Sequence, residues 1–116
     1  MMDLCFQERE HSVTQMSIND EINSDTSIEI NAFMEQKIQQ GLRTLIVDCS
    51  ALTFVNSTGL STLLLIHNRI RCQHGEVRFF GFTHVVLEVL AITRLDTLFS
   101  IDADEESAKG AFSTQK

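Results

Sequence analysis

Four consecutive residues, Asn56-Ser57-Thr58-Gly59, hold the most suggestive chemistry of the chain. Two hydroxyls stand between an amide side chain and a glycine, directly before a strongly apolar segment that begins at Leu60. Asn, Ser and Thr are the residue types whose side-chain oxygens accept from the unpaired amides of a helix N-terminus. A serine in that position has two prospects. It can cap the helix, or it can accept a phosphoryl group, which adds about −1.5 to −2 charges where helix amides and dipole favour an anion. Thr58 is the lesser candidate for phosphorylation and a first-turn residue. Gly59 either lets a partner approach the backbone closely or simply starts the helix. No base accompanies these hydroxyls in any recognisable pattern. The chain has no GxSxG, no Cys-His spacing and no GxxxxGK[ST], so binding and modification are expected rather than enzymatic catalysis.

The elements that position this tetrapeptide follow from periodicity. Leu45, Ile46 and Val47 form an apolar run without alternation, which suits a strand buried on both faces and ending at Asp48. A polar connection with a further apolar patch, Leu52 to Val55, leads to the hydroxyls. Asp48 is expected to make a structural hydrogen bond to that connection. The helix after Gly59 carries Leu60, Leu63, Leu64, His67 and Ile70 on one side, widened by Leu65 and Ile66, and ends at His74-Gly75. Function in open α/β sheets gathers beyond the carboxyl ends of the strands, which is where Ser57 falls.

Upstream, residues 2 to 8 and Val13 to Ile18 alternate and read as a hairpin around a Glu10-His11 break. Asn19 to Asp25 reads as a polar loop. Asp25, Thr26 or Ser27 caps the next helix, Glu29 lies in its first turn, Ile30, Phe33, Met34 and Ile38 form its apolar stripe, and Gly41 stops it. Downstream, Glu76 to Phe82 is a strand, with Val77 and Phe79 pointing one way and Arg78 and Phe80 the other. Thr83 or His84 opens a helix with Val86, Val89 and Leu90 in register. Leu95 to Ile101 is a loop and short last strand, and the acidic run from Asp102 starts a terminal helix before a polar tail. The order is β-β-α-β-α-β-α-β-α. This predicts an α/β domain spanning residues 1–116, in which helical crossovers join parallel strands after an opening antiparallel hairpin.

Composition narrows the classes. The net charge of −7 argues against a nucleic-acid module and for a basic or neutral protein partner. The longest apolar run, Leu63 to Ile66, is too short to span a bilayer, so no membrane insertion is expected. The opening residues lack the basic-then-apolar order of a signal peptide, and Cys5, Cys49 and Cys72 are odd in number with no CxxC pair. Free thiols in a reducing cytoplasm are expected. His11, His67, His74 and His84 stand at no ligand spacing, so neither a metal nor another cofactor is expected.

The run LIVDCSALTFVNSTGLSTLLLI resembles the STAS domain, and specifically the stand-alone anti-sigma factor antagonists. The resemblance covers nearly the whole chain, including the VRFFGF strand and the VVLEVLAITRLDTLFSI segment. It implies a mixed, mostly parallel open sheet of about five strands with about four helices. It further implies a cytoplasmic partner switch by a monomer or weak dimer. The unphosphorylated protein binds an anti-sigma factor that is also a serine kinase of the histidine-kinase-like ATPase type. Phosphorylation of the matching serine, Ser57, releases it, and a PP2C-like phosphatase resets it. The partner-facing residues implied are Asn23, Asn56, Ser57, Thr58 and Gly59. Two positions depart from the family pattern. Asn56 stands where Asp is common, and Asp20-Glu21-Ile22-Asn23 ends in an amide where Gly-Glu-(Leu/Ile)-Asp ends in a carboxylate. The alternative implied by the same fold is a non-phosphorylated subunit docked on an ABC-type lipid or solute transporter ATPase.

Overall fold

The apolar run at residues 45–47 does form the centre of a sheet. In the computed structural model, which describes residues 4–8, 14–102 and 104–113, five strands lie in sequence order. They are β1 (Leu4–Glu8), β2 (Thr14–Glu21), β3 (Thr44–Phe54), β4 (Glu76–Phe80) and β5 (Ser100–Asp102). Strand β1 pairs antiparallel with β2, and the pairs β2–β3, β3–β4 and β4–β5 are parallel. The Glu10-His11 break and the polar tail beyond Ser113 lie outside the described residues. The connections between the parallel strands are α1 (Ser24–Gln39), α2 (Ser57–Cys72) and α3 (His84–Ile92), the last followed by a 3-10 turn at Leu95–Thr97. Helix α4 (Glu105–Ser113) closes the chain.

Alternation along the strands sorts the core. Leu45, Val47 and Phe79 face Ile30 and Met34 of α1, Leu63, Ile66 and Ile70 of α2, and Val86 and Leu90 of α3 in one buried cluster. Ile46 and Phe80 point to the other face, where Ala108 of α4 covers them. Both faces of β3 are therefore buried, which is why its sequence shows no polar alternation. Burying each of these large side chains contributes roughly 1.5–3 kcal/mol before entropy is charged against it. His67 belongs to the same core, its ring 5.4 Å from that of Phe99, which in turn lies 4.8 Å from Phe79. At the far edge Arg78 donates to both carboxylate oxygens of Asp102, at 2.7 and 3.0 Å, tying β4 to β5.

Several sequence expectations require correction. Strand β3 does not stop at Asp48 but continues to Phe54, and Asn19 to Glu21 are its partners on β2 rather than a loop. The register passes from Ser17↔Asp48 to Asn19↔Ala51, so β3 inserts one extra residue. Asp48 makes this bulge possible. Its Oδ1 accepts from the Ser50 amide at 2.9 Å and the Ser50 hydroxyl at 2.6 Å, replacing a ladder bond. The expected hydrogen bond of Asp48 is present, but within the strand. On α2 the apolar stripe is centred on Ile66, with Leu60, Leu64 and Leu65 only half-buried, and the helix ends at Cys72. Strand β4 ends at Phe80, where Gly81 adopts a φ of 82° that an L side chain resists.

Candidate functional site

Parallel β2 and β3 deliver α1 and α2 to the same edge of the sheet, so their N-termini are neighbours. Each is capped by an asparagine. Asn56 has extended backbone angles, and its Oδ1 accepts from the Gly59 amide at 3.0 Å. Asn23 does the same for α1, its Oδ1 accepting from the Thr26 amide at 2.9 Å and the Thr26 hydroxyl at 3.1 Å. The expected caps at Asp25, Thr26 or Ser27, and at Ser57, are thus displaced to the preceding asparagines. Asp25, rather than Glu29, falls in the first turn of α1. In both helices the cap lies three residues before the amide it serves, a spacing present in the sequence but shared by its polar neighbours.

The displacement frees Ser57. As the first residue of α2 it is exposed, and no hydrogen bond to another described residue occupies its hydroxyl. Thr58, next to it, is half-buried. Its carbonyl accepts the Thr62 hydroxyl at 2.8 Å, and Thr62 Oγ1 also lies 2.8 Å from Ser27 Oγ, bonding α1 to α2. Gly59 is buried within the domain. A Cβ there would overlap Val55 Cγ2 and lie 3.7 Å from Ile22 Cβ, so the space that a side chain would need is filled by the domain itself. The side chains of Asn23 and Asn56 remain at the surface. The site is thus an exposed hydroxyl at a helix entrance, with two amide caps beside it and a rigid apolar floor of Ile22 and Val55 beneath.

Phe54, which the sequence did not single out, adds to it. It ends β3 three residues before Ser57 and is 46% exposed. No local pattern in the sequence marks it as exposed, because Leu52 and Val55 on either side are buried. Cys49 offers no nucleophile to the site. It is buried, and burial together with the neighbouring Asp48 charge pushes its thiol well above the usual range. Among the described residues no three His, Cys, Asp or Glu side chains gather as a metal site. Among them, too, no helix is long and apolar enough to cross a membrane.

The sequence matches the family model of the STAS domain over residues 7–108, and the chain belongs to that family. A protein of Bordetella bronchiseptica named as an anti-sigma factor antagonist, BtrV, is 27% identical over 93 residues, covering 80% of each chain. A protein from Thermotoga maritima described as an anti-sigma factor antagonist superposes with a TM-score of 0.85 at 17% identity, over 93% of this chain and 92% of that one. The Bacillus cell-fate determinant SpoIIAA in its phosphorylated form superposes with a TM-score of 0.74 at 16% identity, over 93% of this chain and 98% of that one. The two structural likenesses, both under 25% identical, show that the fold is shared.

Proposed function

We propose that this chain is a cytoplasmic partner-switching antagonist. Unphosphorylated, it binds an anti-sigma factor that is also a serine kinase of the histidine-kinase-like ATPase type. Phosphorylation of Ser57 releases it, and a PP2C-like phosphatase restores it. The observation that carries this reading is the free Ser57 hydroxyl. Because Asn56 supplies the cap, a phosphate can be added to Ser57 without removing any hydrogen bond that holds α2. Helix amides and dipole then favour the added charge within the domain. A partner packed over the same spot has no such compensation. Desolvating the dianion against it costs several kcal/mol, and every 1.4 kcal/mol is tenfold in affinity.

In this reading Asn23, Asn56 and Thr58 border the contact around Ser57, and Gly59 shapes it from beneath. Incubation with the kinase and labelled ATP is expected to modify the wild-type chain and leave Ser57→Ala unlabelled. Ser57→Asp is expected to lose kinase binding by about a hundredfold while melting within a few degrees of wild type. Equal labelling of wild type and Ser57→Ala would refute the assignment of the acceptor. A Ser57→Asp variant that binds as wild type does would refute the switch.

A further inference from the structure

The domain is electrically divided along its strands. Between residues 14 and 102 the Lys and Arg residues are Lys37, Arg43, Arg69, Arg71, Arg78 and Arg94. Lys37 lies in the last turn of α1, and Arg69 and Arg71 in the last turn of α2. Arg43 immediately precedes β3, and Arg94 follows α3. Helices that cross back between parallel strands end where the next strand begins, so these five share the edge of the sheet opposite Ser57. Arg78 stands apart from them, inside β4 and bonded to Asp102 and Glu76. A cation steadies a helix C-terminus, which accounts for part of the pattern. It leaves Arg43, which belongs to no helix. It also leaves His74 and Arg94, whose φ of 62° and 65° lie in the left-handed region, where an L residue loses more than a charge at a helix end returns. Gly41 takes the equivalent position after α1.

Arg43, Arg71 and His74 meet on two touching loops. The Arg43 carbonyl accepts from the Glu76 amide at 2.8 Å, and the Arg71 carbonyl accepts from the His74 amide at 3.0 Å. A Cβ on Gly75 would overlap the Arg43 carbonyl. All three residues are exposed, and the acid beside them, Glu76, is already paired with Arg78 at 2.7 Å. The opposite edge carries the complement. Helix α4 opens beyond the end of β5 with Asp104-Glu105-Glu106 at its entrance. Asp104 and Glu106 are exposed. The Ser107 amide donates to Asp104 Oδ1 at 2.9 Å, and hydrogen bonds from Ser107 hold this carboxyl below the usual carboxylate range.

We propose that the basic edge around Arg43 and Arg71 docks on the acidic entrance of α4 in a second copy of the chain. The domain presents both halves of this contact, and they lie on opposite edges of one sheet, so they cannot meet within one molecule. A nucleic acid or an anionic bilayer extends its charge past the patch onto a domain of net charge −7, whereas the α4 entrance gathers three acids within one turn of helix. Because the two surfaces differ, the contact is head-to-tail. Each pair keeps one free basic edge and one free acidic entrance and adds further copies through them. Exposed ion pairs are individually weak and are screened by salt, so association belongs to high protein concentration and low ionic strength. The contact is independent of the partner switch.

The test is sedimentation velocity on the full chain, up to about 1 mM protein, in 0.02 M and 0.5 M NaCl. The wild-type mean mass is expected to rise above the monomer with concentration at low salt and to fall back to the monomer at high salt. Arg43→Gln/Arg71→Gln and Glu105→Gln/Glu106→Gln are each expected to stay monomeric alone. Mixed one to one, they are expected to form dimers and nothing larger, because each pair retains one intact basic edge opposite one intact acidic entrance. Both variants are checked by thermal melting. Should the α4 variant fail to fold, Arg43→Gln/Arg71→Gln, at exposed positions, decides alone. A wild type that is monomeric in both salts refutes the contact. Association that persists in 0.5 M NaCl refutes charge as its basis. Association that survives in Arg43→Gln/Arg71→Gln, or a mixture that stays monomeric, refutes the head-to-tail pairing.

Discussion

Replacing Gly59 with alanine separates a glycine that serves the fold from one that serves a partner. The added methyl would overlap Val55 Cγ2. Val55 is β-branched and 3% exposed, so its side chain has one strongly preferred rotamer and little room to turn. Overpacking of this kind costs about 1–3 kcal/mol. Against it stands the better helix propensity of alanine, at most about 1 kcal/mol and less in the first turn. The expected net loss is about 1–2 kcal/mol, or roughly 4–8 °C in melting temperature for a chain of this size. Val55→Ala removes the obstructing methyl and is itself destabilising by about 1.5–3 kcal/mol, since it empties a buried site. The decisive measurement is the double-mutant cycle by urea unfolding. In Gly59→Ala/Val55→Ala the two losses are expected to fall short of additivity by about 1 kcal/mol or more, because the methyls no longer collide. A fully stable Gly59→Ala, or strict additivity of the pair, would show that the helix entrance relaxes freely. The glycine would then have to be explained from outside the domain.

Three further outcomes follow from the same geometry. Asn56→Ala is expected to cost about 1 kcal/mol in urea unfolding, whereas Asn56→Asp keeps the cap and is expected to stay within about 0.5 kcal/mol of wild type or above it. Equal losses for both variants would mean that the cap does not hold α2. Iodoacetamide followed by peptide mapping is expected to label Cys72, which is exposed, and to leave Cys49 unlabelled until the chain is denatured; the raised thiol pKa of Cys49 and its burial both oppose reaction. Ser57→Asp and Ser57→Lys are expected to differ in stability by about 1 kcal/mol in favour of Asp at low salt, and to converge in 1 M NaCl, where the screening length falls to about 3 Å. Identical melting at low salt would remove the helix end as the group that accommodates the charge.

Most of the architecture was readable because burial imposes periods on the sequence. The run at residues 45–47 announces a strand buried on both faces, the stripe of Ile30, Met34 and Ile38 and the pair Val77 and Phe79 each announce one buried face, and the order of elements follows from them. What stayed hidden depended on backbone and local side-chain bonds that carry no hydropathy signal. Asn19 to Glu21 look like a loop by polarity, yet a ladder needs only amides and carbonyls, and β3 supplies them. The Asp48–Ser50 bond that lets β3 continue involves two residues that ordinarily mark a strand's end. The caps were blurred for a related reason. Asn56, Ser57 and Thr58 are all competent, and only the extended backbone at Asn56 selects among them. Phe54 was missed because it shares an apolar patch with Leu52 and Val55, both buried, and hydropathy does not tell the exposed member from the other two.

The division of labour at the α2 entrance, with Asn56 as cap and Ser57 exposed, fits the proposed switch, in which one position changes binding without changing fold. Strands β2, β3 and β4 run parallel, so α1, α2 and α3 all start at one edge of the sheet, and their caps Asn23, Asn56 and Thr83 are all uncharged. Each helix end there is equivalent to about half a positive charge, which no capping carboxylate neutralises. A negative group on Ser57 enters that field with its stabilisation already built into the backbone. Were Asp rather than Asn to stand at position 56, its charge would occupy part of the same field and repel the newcomer. An amide cap holds the helix equally well and leaves the field free. In the proposed switch the domain is therefore close to indifferent to phosphorylation of Ser57. The free energy that separates the two states would then be expressed at the surface that the proposed partner covers, where neither amides nor dipole offset the loss of water.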